Sequence, residues 1–177
     1  MDLIQRWQSG NSDAFEAIFN YYKDKVYRTA LLMIGNASQA EDILQEVFVR
    51  VYKSKDKFDG DENSFKRWLY RITSNICIDN YRKKSLSFSS LEEMSEQGFE
   101  PAEKGPTHSK FEDRDAIGQA MTALDSKHRL VVILRYFHEL PYEEIAQILD
   151  VPLGTVKSRL NTAIKTLRRE LMKEGGE

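Results

Sequence analysis

The sequence predicts an all-α protein built as two small helical domains, residues 1–85 and 110–177, joined by a flexible linker over 86–109. Three observations predict it. Apolar residues recur at three- and four-residue spacings through both outer segments. Cap-forming residues and stop signals bracket those stretches. The middle segment carries Ser85-Leu86-Ser87-Phe88-Ser89-Ser90, then Pro101, Gly105 and Pro106, with no sustained helical period, which is linker composition.

The elements follow in chain order. Leu3, Ile4 and Trp7 fit a short first helix. Phe15, Ile18, Phe19, Tyr22, Val26, Ala30 and Ile34 then mark a long amphipathic helix, with Asp13 as its expected cap and Gly35-Asn36 as its stop. Ser38-Gln39-Ala40-Glu41 has capping-box spacing and precedes a stripe of Ala40, Ile43, Leu44, Val47, Phe48 and Val51. The opposite face of that helix carries Glu41, Asp42, Gln45, Glu46, Val49 and Arg50. A polar loop, Phe58 to Asn63, leads to Ser64 as the expected cap of a helix packed through Phe65, Leu69, Ile72 and Ile76.

In the second domain, Phe111, Ile117, Ala120, Met121 and Leu124 form one core-facing stripe, and Asp125 caps a helix bearing Leu130, Val131, Leu134 and Phe137. Tyr142 to Leu149, the turn Asp150-Val151-Pro152 and a helix from Leu153 through Leu171 have the layout of a helix-turn-helix. Small Ala146 permits a close crossing, and Val156, Leu160, Ala163 and Leu167 tie the second helix to the core. Thr155, Lys157, Ser158, Arg159, Thr162 and Lys165 are then left outward, a polar and basic set suited to phosphates and base edges in a major groove.

Charge is distributed unevenly beneath a formal net of -2. Residues 64–84 carry net +5, 151–173 net +5, and 86–126 net -6. Two basic segments therefore flank an acidic one, and a polyanion would meet local patches. Composition excludes several classes. One cysteine, Cys77, makes no internal disulfide or multi-cysteine metal site, and it reads as a buried structural thiol. The longest apolar runs are five residues, against roughly 20 for a spanning helix, so no membrane insertion is expected. The opening residues lack a secretory pattern, so a cytoplasmic location is expected. No phosphate-binding glycine loop, nucleophile elbow or His/Cys ligand spacing occurs, so neither enzyme chemistry, a metal nor a cofactor is expected.

Ala40-Glu41-Asp42-Ile43-Leu44-Gln45-Glu46-Val47-Phe48 with Trp68-Leu69-Tyr70-Arg71-Ile72, followed by Val151-Pro152-Leu153-Gly154-Thr155-Val156-Lys157-Ser158-Arg159-Leu160, resembles the extracytoplasmic-function (ECF) group of bacterial sigma factors. The resemblance implies that the first domain docks on core RNA polymerase through Asp42, Gln45, Glu46 and Arg50. It implies that Lys66, Arg67, Trp68, Tyr70, Arg71 and Asn75 capture the single-stranded −10 element, with the loop from Phe58 to Ser64 as specificity loop. Of the aromatics, Phe65 and Trp68 sit on the packing stripe and Tyr70 is expected to be the freer. The second domain would read the duplex −35 element through Thr155, Lys157, Ser158, Arg159, Thr162 and Lys165. The acidic linker would thread toward the polymerase active centre, and a separate anti-sigma factor would regulate the subunit.

The sequence departs from that pattern in three places. Asn161-Thr162-Ala163-Ile164 replaces more basic residues, which predicts weaker or altered contacts from that helix. Pro141 stands where a hydroxyl cap is common, a substitution that suits a first-turn position. The chain ends soon after Lys173, so no further sensor domain is expected. Two other readings compete: a dimeric stand-alone helix-turn-helix regulator of duplex operators, and a metal-dependent nuclease using Glu41, Asp42 and Glu46.

Overall fold

The computed structural model describes residues 3–88 and 116–174, and among them the chain is helical with no strand. Helix α1 spans Leu3–Gln8, α2 Ser12–Ile34, α3 Ala37–Lys53 and α4 Glu62–Phe88, with a 3-10 turn at Lys55–Lys57. In the second lobe α5 covers 116–122, α6 Ser126–Val132, α7 Tyr142–Leu149 and α8 Leu153–Glu174. Most of the expected linker and Phe111 lie outside the described residues, whereas α4 continues through 86–88, past the expected boundary at 85.

Three expected caps move by two or three residues. Asn11, not Asp13, caps α2, its side-chain oxygen accepting from the Ala14 N–H at 2.9 Å. Asn36, not Ser38, caps α3 by accepting from Gln39 N–H at 2.9 Å. Asp61, not Ser64, accepts from Ser64 N–H at 2.9 Å at the start of α4. In each case the true cap lies outside the helix in extended or turn backbone, where its oxygen reaches an unpaired amide of the first turn. Asp125 caps α6 as expected, accepting from His128 N–H. Gly35 ends α2 at φ 74°, in the left-handed region, and its N–H returns to Leu31 O.

The first lobe buries Ile18, Val26, Ala30, Ile43, Val47, Val51, Phe65 and Leu69 between α2, α3 and α4. Trp7 of α1 closes one end against Phe15, Phe58, Phe65 and Trp68, with ring centroids 5.6 to 6.5 Å apart. Offset and edge-on rings of this kind add to the apolar burial itself. Gln8 anchors the following loop by donating to Phe58 O at 2.6 Å.

In the second lobe α6 passes into a π-turn at Ile133–Phe137. Glu139 then takes a left-handed backbone (φ 56°), and Arg135 donates to Leu140 O at 3.1 Å, aiming the chain into α7. Pro141 begins α7 without a side-chain cap, and Asp150 ends it at φ 53°. Val156, Leu160 and Ala163 of α8 are buried as expected. Ile117 is not: it is 42% exposed and leaves the core stripe to Ala120, Met121 and Leu124.

The lobes are docked on one another, and the buried apolar cluster runs through both. Polar groups tie the seam at several points. Arg129 of α6 donates to Met33 O at 2.7 Å and to Leu124 O at 3.1 Å. His138 lies between Thr29 Oγ1, 2.6 Å from its Nε2, and Tyr70 Oη, 3.2 Å from its Nδ1. Arg71 donates to Gln147 O at 2.6 Å and to Ile148 O at 3.3 Å.

Candidate nucleic-acid interface

Helix α3 presents Asp42, Gln45, Glu46 and Arg50 together on its solvent face, because Ala40, Ile43, Val47 and Val51 point the opposite stripe into the lobe. Glu46 and Arg50 form an i,i+4 ion pair at 3.0 Å with both side chains about half exposed. Such a pair adds little to stability and leaves both charges available to a partner. Beside them Val49 is 51% and Tyr52 61% exposed, an apolar strip on the charged face. The sequence pattern includes Val49 but passes over Tyr52. The signal was the three- and four-residue spacing from Gln45 through Val49 to Tyr52.

Helix α4 arranges its expected residues along one side. Lys66, Arg67 and Trp68 are half-buried, while Arg71 and Asn75 lie at the surface. Ser64, Arg67, Trp68 and Arg71 line a small cleft with Gln147 of α7. Trp68 leans its ring on Phe58 at 4.9 Å and Phe65 at 5.7 Å, keeping one edge in the cleft. The expectation that Tyr70 is the freer aromatic is reversed. Tyr70 is only 2% exposed, because the second lobe covers it and His138 meets both its hydroxyl and its ring. Burial and its neighbours push its phenol well above the usual value.

Three of the expected α4 residues therefore touch the second lobe: Tyr70 through His138, Arg71 through the α7 carbonyls, and Lys66 through Glu144 at 3.6 Å. A guanidinium at the last carbonyls of a helix meets the negative end of its dipole. Burial, followed by the nearby positive charges of Lys25, Arg28 and Lys66, pushes His138 down to about 4. It is neutral at ordinary pH. No helix among the described residues is long and apolar enough to cross a membrane.

On α8 the outward set is less uniform than its pattern. Lys157, Ser158, Thr162 and Lys165 are exposed, whereas Thr155 and Arg159 are half-buried. Ser158 Oγ donates back to Thr155 O at 3.0 Å, so its hydroxyl hydrogen is held within the helix. One turn beyond Lys165, exposed Arg168 extends the basic strip.

A helical lobe with a charged α3 and basic α4, tied to a second lobe ending in a helix-turn-helix, is the architecture of the sigma subunits of bacterial RNA polymerase. The family descriptions agree: Sigma-70 region 2 matches residues 18–86, and Sigma-70, region 4 matches 120–169. ECF RNA polymerase sigma factor SigW of Bacillus subtilis (strain 168) is 36% identical over 95% of this chain and 94% of its own length. The chain belongs to the ECF group of RNA polymerase sigma factors and serves transcription initiation. The region 2 match replaces the reading of the first lobe as a dimerisation or sensor domain. Among solved structures, CnrH in complex with the cytosolic domain of CnrY has the same fold, with a TM-score of 0.71 at 22% identity, over 99% of this chain and 97% of that one. Sigma factor RpoE of Bartonella quintana, in complex with the anti-sigma factor NepR, gives a TM-score of 0.72 at 24% identity over 89% and 96%.

Proposed function

We propose that this sigma subunit, which is not itself an enzyme, works in the cytoplasm through three surfaces divided between domains 1–85 and 110–177. The first is the α3 face. Asp42, Gln45, Glu46 and Arg50 seat on core RNA polymerase, with Val49 and Tyr52 supplying the apolar contact that a charged rim alone lacks. The second is α4, where Lys66, Arg67 and Arg71 follow the phosphates of the melted −10 strand, Trp68 offers a stacking face, and Asn75 reads a base edge. Tyr70 joins this set only after the second lobe moves away. The third is α8, where Thr155, Lys157, Ser158, Arg159, Thr162 and Lys165 meet the −35 duplex.

The observation that carries the reading is the coincidence of an exposed charged and apolar α3 face with the region 2 match over the same residues. Partners are core polymerase, promoter DNA, and an anti-sigma factor, as NepR is to the structurally similar RpoE. The linker's acidity suits it to the basic, nucleic-acid-holding surfaces of the enzyme that it threads.

The test is anisotropy of the labelled full chain titrated with bacterial core polymerase, with a parallel titration of duplex DNA at the same salt. Tight polymerase binding with weak free duplex binding is expected. Asp42→Lys with Glu46→Lys should abolish polymerase binding while circular dichroism stays helical. Unchanged affinity in that variant would remove α3 as the docking face.

A further inference from the structure

One flank of the first lobe lies outside the three proposed surfaces. Along α2, Tyr21, Lys25 and Arg28 recur at four- and three-residue spacing, so they share one side of the helix. All three are exposed, Tyr21 at 62%. The buried stripe of Ile18, Tyr22, Val26 and Thr29 fixes that orientation by turning the adjacent side of α2 into the core. Lys25 Nζ lies 4.6 Å from the centroid of the Tyr21 ring, and the Tyr21 and Tyr22 rings meet edge to face at 4.8 Å. Two neighbours therefore hold the Tyr21 ring while most of it stays in water.

The charges of this flank are uncompensated. Neither Lys25 nor Arg28 forms an ion pair among the described residues, although Asp24 shares their helix and Glu62 begins α4 beside Tyr22. The flank also runs into α4. Lys25, Arg28 and Lys66 all bear on the His138 ring, and Tyr21 bears on Tyr70, so α2 and α4 present one cationic surface with aromatic rings along it. From Tyr21 to Arg28 the helix rises about 10 Å, the length of two or three nucleotides. Cations that follow phosphates, set beside a ring that can stack on a base, are the means by which a surface holds a single strand.

From this juxtaposition we infer that the α2 flank is a further strand-binding surface: the Tyr21 ring stacks on a base, and Lys25 and Arg28 hold the phosphates, of the single-stranded DNA that continues past the −10 set at Lys66. The inference rests on the proposed role of α4, which holds the neighbouring part of the same strand. Stacking and phosphate contact accept any base, so the flank selects no sequence. It sets how long a melted strand the subunit holds, whereas α4 sets which −10 element is held.

Anisotropy with holoenzyme assembled from the full chain and core polymerase tests this. The probes are a labelled single-stranded −10 oligonucleotide from a promoter that the holoenzyme transcribes, and the same oligonucleotide with three thymidines added at its 5′ or its 3′ end. One of the two extensions is expected to raise affinity about ten-fold. Tyr21→Leu should lose that gain, and Tyr21→Phe, which keeps the ring, should retain it. Lys25→Gln with Arg28→Gln should lower the salt slope for the extended probe by about 1.4, two phosphates at about 0.7 each, and leave the short probe unchanged. Circular dichroism should not change, since each substitution lies at an exposed helical position. No gain from either extension, or a gain and salt slope that persist in the folded variants, would overturn the inference. Variants that lose polymerase in gel filtration but keep their affinity for the strand would make the flank a protein contact and overturn it equally. Arg67→Ala separates the two readings. It should weaken all three probes; an unchanged short probe refutes the α4 reading, while the α2 variants still decide the flank.

Discussion

Thr29 and His138, 109 positions apart in sequence, meet at 2.6 Å across the seam between the lobes. The Thr29 hydroxyl gives its hydrogen to Lys25 O at 2.9 Å, so toward His138 it accepts. Nε2 therefore carries the imidazole proton, and Nδ1 is left to accept from the Tyr70 hydroxyl at 3.2 Å. The neutral ring is fully used by the two hydroxyls, which makes its protonation a measure of docking.

The pH dependence follows from that ring. Released from the seam, His138 returns to an ordinary value near 6.5; docked, it is held down to about 4. Facing it are the cations Lys25, Arg28 and Lys66 and the neutral Thr29 and Tyr70 hydroxyls. Protons thus favour the undocked state. Docking is strongest above pH 6.5, weakens as pH falls toward 4, and is flat below, with a ceiling of about 3 kcal/mol. Thermal melts across this range should show the loss, and His138→Gln should erase this step. A wild-type profile identical to that of His138→Gln would contradict the assignment.

Arg129 makes the second strap. It is 5% exposed, donates to Met33 O and Leu124 O, and lies 5.1 Å from the Tyr81 ring centroid. Desolvation pulls its pKa below the usual value, while Tyr81 and Asp125 favour the charge. Arg129→Met would keep the apolar stem but leave two carbonyls without their donor, at about 1–3 kcal/mol each. The expected result is a lower denaturation midpoint by urea, with the seam loosened.

The helices were legible because α3 and α8 each bury one strict stripe. The caps were less so. Asn11-Ser12-Asp13, Asn36-Ala37-Ser38 and Asp61 through Ser64 each offer more than one residue able to cap, and local chemistry does not choose between registers. Core packing sets the start of the helix and thereby selects Asn11, Asn36 and Asp61. Tyr70 was misread for a different reason. Periodicity describes one lobe at a time, and Tyr70 is covered by the other. The same limit hid His138, whose neighbours Thr29 and Tyr70 are distant in sequence. The α3 face was legible because its burial is settled within one helix.

Phe65 tests the aromatic end of the first lobe. It has no exposure and touches the rings of Trp7, Tyr22, Phe58 and Trp68. Phe65→Ala should cost about 3–5 kcal/mol and shift the tryptophan emission as Trp7 and Trp68 gain water. Trp68→Ala, at a half-buried position, should cost about 1–2 kcal/mol. If the two losses were equal in chemical denaturation, Trp68 would be a core residue first and a DNA contact second.

Cys77 should be inert in the native state. Burial raises its thiol to about 12 and Glu46 adds slightly, so almost no thiolate exists at pH 8. Reaction with an aromatic disulfide reagent is expected only upon unfolding, at the global unfolding rate or equilibrium. Fast native labelling would show that α4 opens locally.

The α8 contacts separate into exposed and half-buried cations, and salt dependence distinguishes their roles. Lys157 is free in solvent, while Arg159 is half-buried beside Val156 and Leu160 of the core stripe. Phosphate neutralisation releases counterions, so removing one such contact lowers the salt slope of duplex binding by about 1. Lys157→Ala with Arg159→Ala should leave polymerase affinity unchanged and weaken the holoenzyme's hold on duplex promoter. If both side chains touch phosphate, the slope falls by about 2 and all sequences lose affinity alike. If Arg159 instead reads a base, the slope falls by about 1, and about 1–3 kcal/mol of discrimination disappears at one position of the −35 element. The constrained setting of Arg159 favours the second result, since a half-buried stem fixes where the guanidinium points. An unchanged slope and unchanged promoter affinity would move duplex recognition off this face of α8.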